Sequence, residues 1–229
     1  MALNTLIFGC TGQDGSYLTK SLLKQGKTVV GVSRAKTINK SKHARLGIKD
    51  EINIIRIKPN NVDAIARILE KEKPDEIYNL GAQSSVGKSF FDPIDTTESI
   101  VNGTLTILEV SKKLNYKGRL FFAGSSEIFG ETPASADVNH VQNPKSPYAI
   151  AKQASYNLVK LYREAYKLNC VTGILFNHES PLRDKNFVTQ KIITGALKCS
   201  IDRSFKFTLG NINIARDWGW AEEYVEAIQ

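Results

Sequence analysis

Three short stretches of the 229-residue chain combine chemically capable residues at spacings that bring them together. In Tyr148-Ala149-Ile150-Ala151-Lys152 a phenol and an amine stand four positions apart, on one face of a helix. A phenol titrating near ~10 in water is a poor base at neutral pH, and a neighbouring cation lowers that value. In Gly124-Ser125-Ser126-Glu127-Ile128-Phe129-Gly130, Ser125 suits a hydrogen bond to a hydroxyl under oxidation, and Glu127 suits acid–base work at carbon. Gly9-Cys10-Thr11-Gly12-Gln13-Asp14-Gly15 lets the backbone approach a pyrophosphate at the start of a helix. Each pattern has a bland alternative. Tyr-x-x-x-Lys arises by chance, a loop glutamate is often only solvated, and any tight strand-to-helix turn uses glycines.

The elements that must position these residues alternate. Strands are expected at 5–8, 28–33, 52–57, 76–80, 119–123 and 170–176. Helices are expected at 16–25, 62–73, 97–114 and 147–168, the last with proline in its first turn. This pattern predicts an α/β, Rossmann-type doubly wound parallel sheet, with ligands at the carboxyl ends of its strands. Beyond 176 the regularity breaks into a helix at 188–198, a strand at 205–209 and a helix beginning at 221. We divide the chain into a dinucleotide-binding domain, 1–176, and a smaller substrate lobe, 177–229, which is incomplete where the chain stops.

After the second strand an NAD site places an acidic residue against the ribose 2′-hydroxyl. Here Val32-Ser33-Arg34, with Lys36 nearby, offers a guanidinium that suits a 2′-phosphate, so these residues favour NADP. The net charge of +8 is mostly dispersed, with one denser run of Arg34, Lys36, Lys40, Lys42, His43 and Arg45. That run lacks interleaved aromatics for stacking bases, which argues for a phosphate-bearing cofactor or an oligomer contact rather than nucleic acid. Cys10, Cys170 and Cys199 show no metal-ligand spacing, so free thiols and no metal are expected. No apolar run is long enough to span a bilayer, and Met1-Ala2-Leu3-Asn4-Thr5 does not open like a signal peptide. The expected location is the cytoplasm.

GCTGQDGSYL (9–18), YNLGAQSSVGKSF (78–90), GSSEIFG (124–130), KSPYAIAK (145–152), FNHESP (176–181), NFVTQKI (186–192) and LGN…ARDWG (209–219) carry a resemblance along the whole chain. They resemble the GDP-mannose 4,6-dehydratase family of extended short-chain dehydrogenases. A dTDP-glucose dehydratase would show Asp-Glu at 126–127, and sugar-nucleotide epimerases lack that carboxylate. The resemblance implies a hydride cycle on GDP-mannose. Tyr148, with Lys152 and Ser125, deprotonates the C4 hydroxyl as hydride leaves for NADP. Glu127 then removes the C5 proton, water leaves from C6, and the hydride returns to C6. It further implies that Gly9, Gly12, Gln13, Asp14, Gly15 and Arg34 touch NADP. Leu80, Ala82, Tyr148, Lys152, Leu175, Asn177, His178 and Glu179 would line the nicotinamide side. Ser84, Ser85, Asn177, Lys191, Gly210 and Arg216 would meet the nucleotide sugar.

This chain departs from the family pattern at Lys58-Pro59, where an Asp-Leu pair usually holds the adenine. It also departs at Ser125 (usually Thr), Trp220 (usually His) and Gln190 (usually basic). Three readings follow: a dehydratase working as a homo-oligomer (dimer or tetramer), a non-catalytic NADP-binding module, or a 4-keto-6-deoxy nucleotide-sugar reductase that needs Tyr148 and Lys152 but not Glu127.

Overall fold

A computed structural model describes residues 3–229; Met1 and Ala2, on which the leader reading partly rests, lie outside the described residues. Six strands, β1 (Asn4–Phe8), β2 (Thr28–Ser33), β3 (Asn53–Arg56), β4 (Glu76–Asn79), β5 (Arg119–Ala123) and β6 (Cys170–Gly173), form one parallel sheet in the order β3-β2-β1-β4-β5-β6. The expected doubly wound α/β fold is therefore present.

Side chains alternate across a strand, so a sheet covered on both faces needs apolar residues at consecutive positions. β1 shows this. Leu6 and Phe8 enter one buried cluster with Ile65, Leu69, Leu108 and Val159, while Ile7 enters another with Leu18, Leu22 and Val29. The first cluster is closed by α3 (Val62–Glu72), α6 (Gly103–Lys113) and α7 (Pro147–Tyr166), the second by α1 (Gln13–Lys24) and α9 (Ala221–Ala227). A fully buried Leu or Ile contributes about 1.5–3 kcal/mol, so these two layers hold the sheet between them.

Helix starts follow their caps. The Asn61 side chain accepts from Ala64 N at 3.0 Å, and Ser146 accepts from Ala149 N at 3.1 Å ahead of Pro147. Two short helices, α2 (Ser41–Arg45) and α4 (Val86–Phe91), had no periodic signal strong enough to foresee. The helix expected at 97–114 begins earlier. Asp92 caps α5 (Pro93–Thr97), and the chain passes through a wide π-turn (Glu98–Asn102) into α6.

Two expectations are corrected. The sixth strand ends at Gly173, and the chain then forms β7 (Asn177–Glu179), paired in parallel with β8 (Trp218–Trp220). The strand expected at 205–209 is absent. After α8 (Val188–Ile201) the chain turns, Phe205 N donating to the Asp202 carbonyl at 3.1 Å, and the Phe207 ring folds back onto Gly195 of that helix. Its apolar residues therefore pack on a helix instead of joining a ladder.

At the amino ends of the strands, Glu76 is buried at 2% exposure. Lys27 Nζ lies 2.9 Å from its carboxylate, Arg119 pairs with its other oxygen, and Thr5 Oγ1 is 3.4 Å away. One carboxylate thus ties β1, β2, β4 and β5 together at their starts. Without Glu76 the Lys27 and Arg119 cations, 15% and 61% exposed, can rehydrate, so losing these charge-assisted bonds costs about 1–3 kcal/mol. Urea unfolding of Glu76→Ala should show a loss in that range; a loss below about 1 kcal/mol, typical of exposed pairs, would count against the bracket.

Candidate active site

The strand order reverses between β1 and β4, and the crevice opens there, at their carboxyl ends. Gly9 leaves β1 with φ +80, its N–H donating to the Val32 carbonyl at 2.8 Å. A Cβ on Gly9 would stand 2.6 Å from Gly81 Cα, so a side chain there is blocked by the turn after β4. A Cβ on Gly15 would run into the Gly9 carbonyl and come within 2.7 Å of Cys10 Cα. These two positions let turn, helix and strand close on one another. No side chain caps α1 at Gly12. Its first N–H groups and the positive end of its dipole therefore face the crevice, ready for an anion.

A cavity of about 330 Å³ occupies the crevice. Gly9, Gly12, Gln13, Asp14, Gly15, Arg34, Leu80, Ala82 and Ser84 all line it. Pro59, beside Gly103, forms its far wall. Lys42, from the basic run, and Phe187, from the 186–192 stretch, also line it, as do Arg183 and Asp184, which were missed because 182–185 carry no motif. The basic run after β2 is largely consumed within the chain. Lys40 donates to the Lys49 and Ile52 carbonyls, Arg45 to the Pro181 carbonyl, and His43 is fully buried. Arg34 is held by Asp95 of α5 through two hydrogen bonds, 2.6 and 3.1 Å long.

Gln13, Asp14 and His178 turn towards one another. His178 Nε2 lies 2.9 Å from Asp14 Oδ2, and Gln13 Nε2 donates to Asp14 Oδ1 and to the His178 carbonyl, both at 3.1 Å. Ser180 Oγ donates to Gln13 Oε1 at 2.8 Å, and the His178 ring stacks on Tyr224 with centroids 4.3 Å apart. Burial works against a charged His178, but the hydrogen bond and charge of Asp14 outweigh it and raise its pKa. Burial likewise opposes the Asp14 carboxylate, yet His178 holds it below the usual range. The clasp fastens the start of α1 to β7.

Ser125, Glu127, Tyr148 and Lys152 gather at the carboxyl end of β5. Ser125 begins a 3-10 turn (Ser126–Phe129), and its Oγ accepts from Glu127 N at 3.3 Å. Ser125, Tyr148 and Lys152 are all buried. Lys152 Nζ donates to the Ala123 carbonyl at 2.7 Å and lies 5.7 Å from the Tyr148 ring centre. The expectation that a cation depresses the phenol is corrected. Burial pushes Tyr148 up to about 12, with a hydrogen bond from Ser125 opposing it, and the Glu127 charge adds to the rise. Burial also brings Lys152 down to about 8. Both groups are desolvated, and that outweighs their proximity.

The remaining residues are more dispersed. Leu175 packs under the crevice beside Ile7 and Phe121. Asn177 sits in β7 opposite Trp218, and Glu179 holds Arg183 Nε at 3.0 Å and the Thr189 hydroxyl. Ser85 caps α4, accepting from Lys88 N at 3.2 Å. Lys191 is exposed on α8, and Gly210 lies in an open loop. Arg216 comes from that same irregular segment to within 3.9 Å of Glu127 Oε1. Among the described residues no cluster of His, Cys, Asp or Glu could hold a metal, and no helix is long and apolar enough to cross a membrane.

A six-stranded parallel sheet, a glycine turn at its switch point and a long Tyr-x-x-x-Lys helix beside β5 define a Rossmann-type fold. The fold superposes on a dTDP-glucose 4,6-dehydratase from Streptomyces venezuelae with TM-score 0.87, at 21% identity over 99% of this chain and 70% of that one. A UDP-N-acetylglucosamine 4-epimerase from Methanobrevibacter ruminantium gives 0.85, at 23% identity over 99% and 72%. The chain belongs to the GDP-mannose 4,6 dehydratase family, whose model matches residues 6–229. GDP-mannose 4,6 dehydratase 1 of Arabidopsis thaliana is 40% identical over 97% of this chain and 65% of its own length. The human GDP-mannose 4,6 dehydratase is also 40% identical, over 97% and 63%. The chain thus spans a little under two thirds of these relatives.

Gly15→Ala should lower affinity for a dinucleotide at least ~10-fold, because the displaced turn re-aims the α1 N–H groups. Calorimetric titration checks this; unchanged affinity would remove the turn from the binding site.

Proposed function

We propose that this chain supplies the cofactor site and reacting groups for dehydration of GDP-mannose to GDP-4-keto-6-deoxy-mannose, with NADP as a bound, regenerated cofactor. The observation that carries it is the convergence of Ser125, Glu127, Tyr148 and Lys152 at the end of β5. The family membership supports the substrate.

The residues present fit a dinucleotide: a turn that two glycines let close tightly beside the cleft, an uncapped helix start for the pyrophosphate, and Arg34 on the wall after β2 for a 2′-phosphate. A bound nicotinamide supplies reversible hydride storage. The protein groups do the rest. Ser125 donates to or accepts from the sugar C4 hydroxyl and holds it against Tyr148. A buried phenol cannot stay ionised unaided, so Lys152, fixed by the Ala123 carbonyl, offers the nearby cation on which a phenolate can form. Once C4 is a ketone, the C5 proton is acidic; Glu127 takes it and passes it to the C6 hydroxyl, which then departs as water. Arg216 beside Glu127 suits the diphosphate of the substrate. Asn177, Lys191 and Gly210 would complete that side within a 177–229 substrate lobe. We place the protein in the cytoplasm as a homo-oligomer, a dimer or tetramer; light scattering that shows a monomer with NADP present would overturn the assembly.

Loss of one water from GDP-mannose, followed by mass spectrometry with catalytic NADP, tests the reading directly. In Glu127→Gln that loss should fall by about 10²–10⁴, while dinucleotide affinity stays the same. An indifferent Glu127→Gln would favour a reductase.

Lys152 carries its charge below about pH 8 and loses it above. The rate of water loss should therefore decline as pH rises through that value. A profile that stays flat from pH 7 to about 9.5, approaching the ordinary lysine range, would show that the charge of Lys152 is not needed.

A further inference from the structure

Each of the three lysine and arginine side chains on the cavity wall is matched by a carboxylate of this chain. Lys42 Nζ lies 2.8 Å from Asp184, Arg183 Nε lies 3.0 Å from Glu179, and Arg34 gives both terminal nitrogens to Asp95. The last pair bears on cofactor choice, because the residue after β2 meets the ribose 2′ position in such folds. Asp95 reaches Arg34 from 61 residues away. Its place is well fixed. Asp92 Oδ1 accepts from Asp95 N at 3.2 Å, Pro93 opens the same turn, and Gln83 Nε2 donates to Thr96 Oγ1 at 3.0 Å. The Arg34 hydrogen bonds hold the Asp95 carboxyl below its usual range, so the pair is charged at neutral pH.

A guanidinium bound in fork geometry has two parallel N–H groups committed. A 2′-phosphate must displace the carboxylate, or bind with that negative charge alongside. A neutral 2′-hydroxyl meets neither obstacle and can donate to a carboxylate. We propose that Asp95 sets dinucleotide selectivity: by holding Arg34 it weakens the preference for a 2′-phosphate, so that the site accepts NAD as well as NADP. The proposal rests on the dinucleotide reading above. Lys88 Nζ stands 3.9 Å from Asp95, so the carboxylate keeps a cation when Arg34 turns to a phosphate. The exchange is therefore shallow, as expected for a pair whose partners are 38% and 33% exposed.

Calorimetric titration of the whole chain with NADP and with NAD tests this in the wild type, Asp95→Asn, Arg34→Ala and the double variant. Wild type should bind both. Asp95→Asn should raise the NADP-to-NAD affinity ratio about three- to five-fold, the range a partly exposed ion pair allows. Arg34→Ala should lower the ratio, and Asp95→Asn should add nothing in that background. Asp95→Glu should keep the wild-type ratio. A ratio insensitive to Asp95→Asn, a shift that persists without Arg34, or a wild type blind to NAD would each overturn the proposal while leaving the dinucleotide reading intact. Failure of the wild type to bind either dinucleotide would sink that reading, and this one with it.

Discussion

The site depends on one close approach of backbone to backbone. Gly9, leaving β1, lies so near Gly81, leaving β4, that neither strand end has room for a side chain on Gly9. The two strands are neighbours in the sheet, yet their following segments depart to opposite faces. The gap between those departures is the cavity. If the contact widened, α1 would move away from the crevice and its uncapped N–H groups would no longer point into it. The His178–Asp14–Gln13–Ser180 clasp guards the same geometry from the other side.

Around this opening the protein treats charge in two ways. Groups that would perform proton transfer are desolvated, which raises Tyr148 to about 12 and lowers Lys152 to about 8, so burial favours the neutral form of each and moves their titrations apart. Groups that would bind phosphate are instead left partly exposed and paired with carboxylates. A paired cation is kept in position when no ligand is bound, at the cost of a competitor when one arrives. The strength of anion binding in this cleft is therefore a difference between two ion pairs.

Much of the molecule was legible in the sequence because its signals are local. Strand–helix alternation, β1 to β5 and α7 follow from short apolar runs, caps and one proline, and the sheet needs nothing more to assemble in parallel. The glycine turn, Tyr148-x-x-x-Lys152 and the Ser125/Glu127 pair are likewise defined by neighbours a few positions apart. The strand expected at 205–209 failed because apolar residues alone do not say whether a partner strand or a helix will cover them.

What only the tertiary structure decided are relations between distant residues. That Asp95 would take Arg34, that Asp184 would take Lys42, and that His178 would lock onto Asp14 depend on where α5, the 182–187 segment and β7 come to rest. The titration of Tyr148 is of the same kind. The sequence places a cation four residues away, but the direction of the shift is set by burial, a property of everything packed around the ring. Residue types and spacing determined which groups this protein has to work with. Packing determined which of them are free, because pairing and desolvation act through space and carry no local signature in the chain.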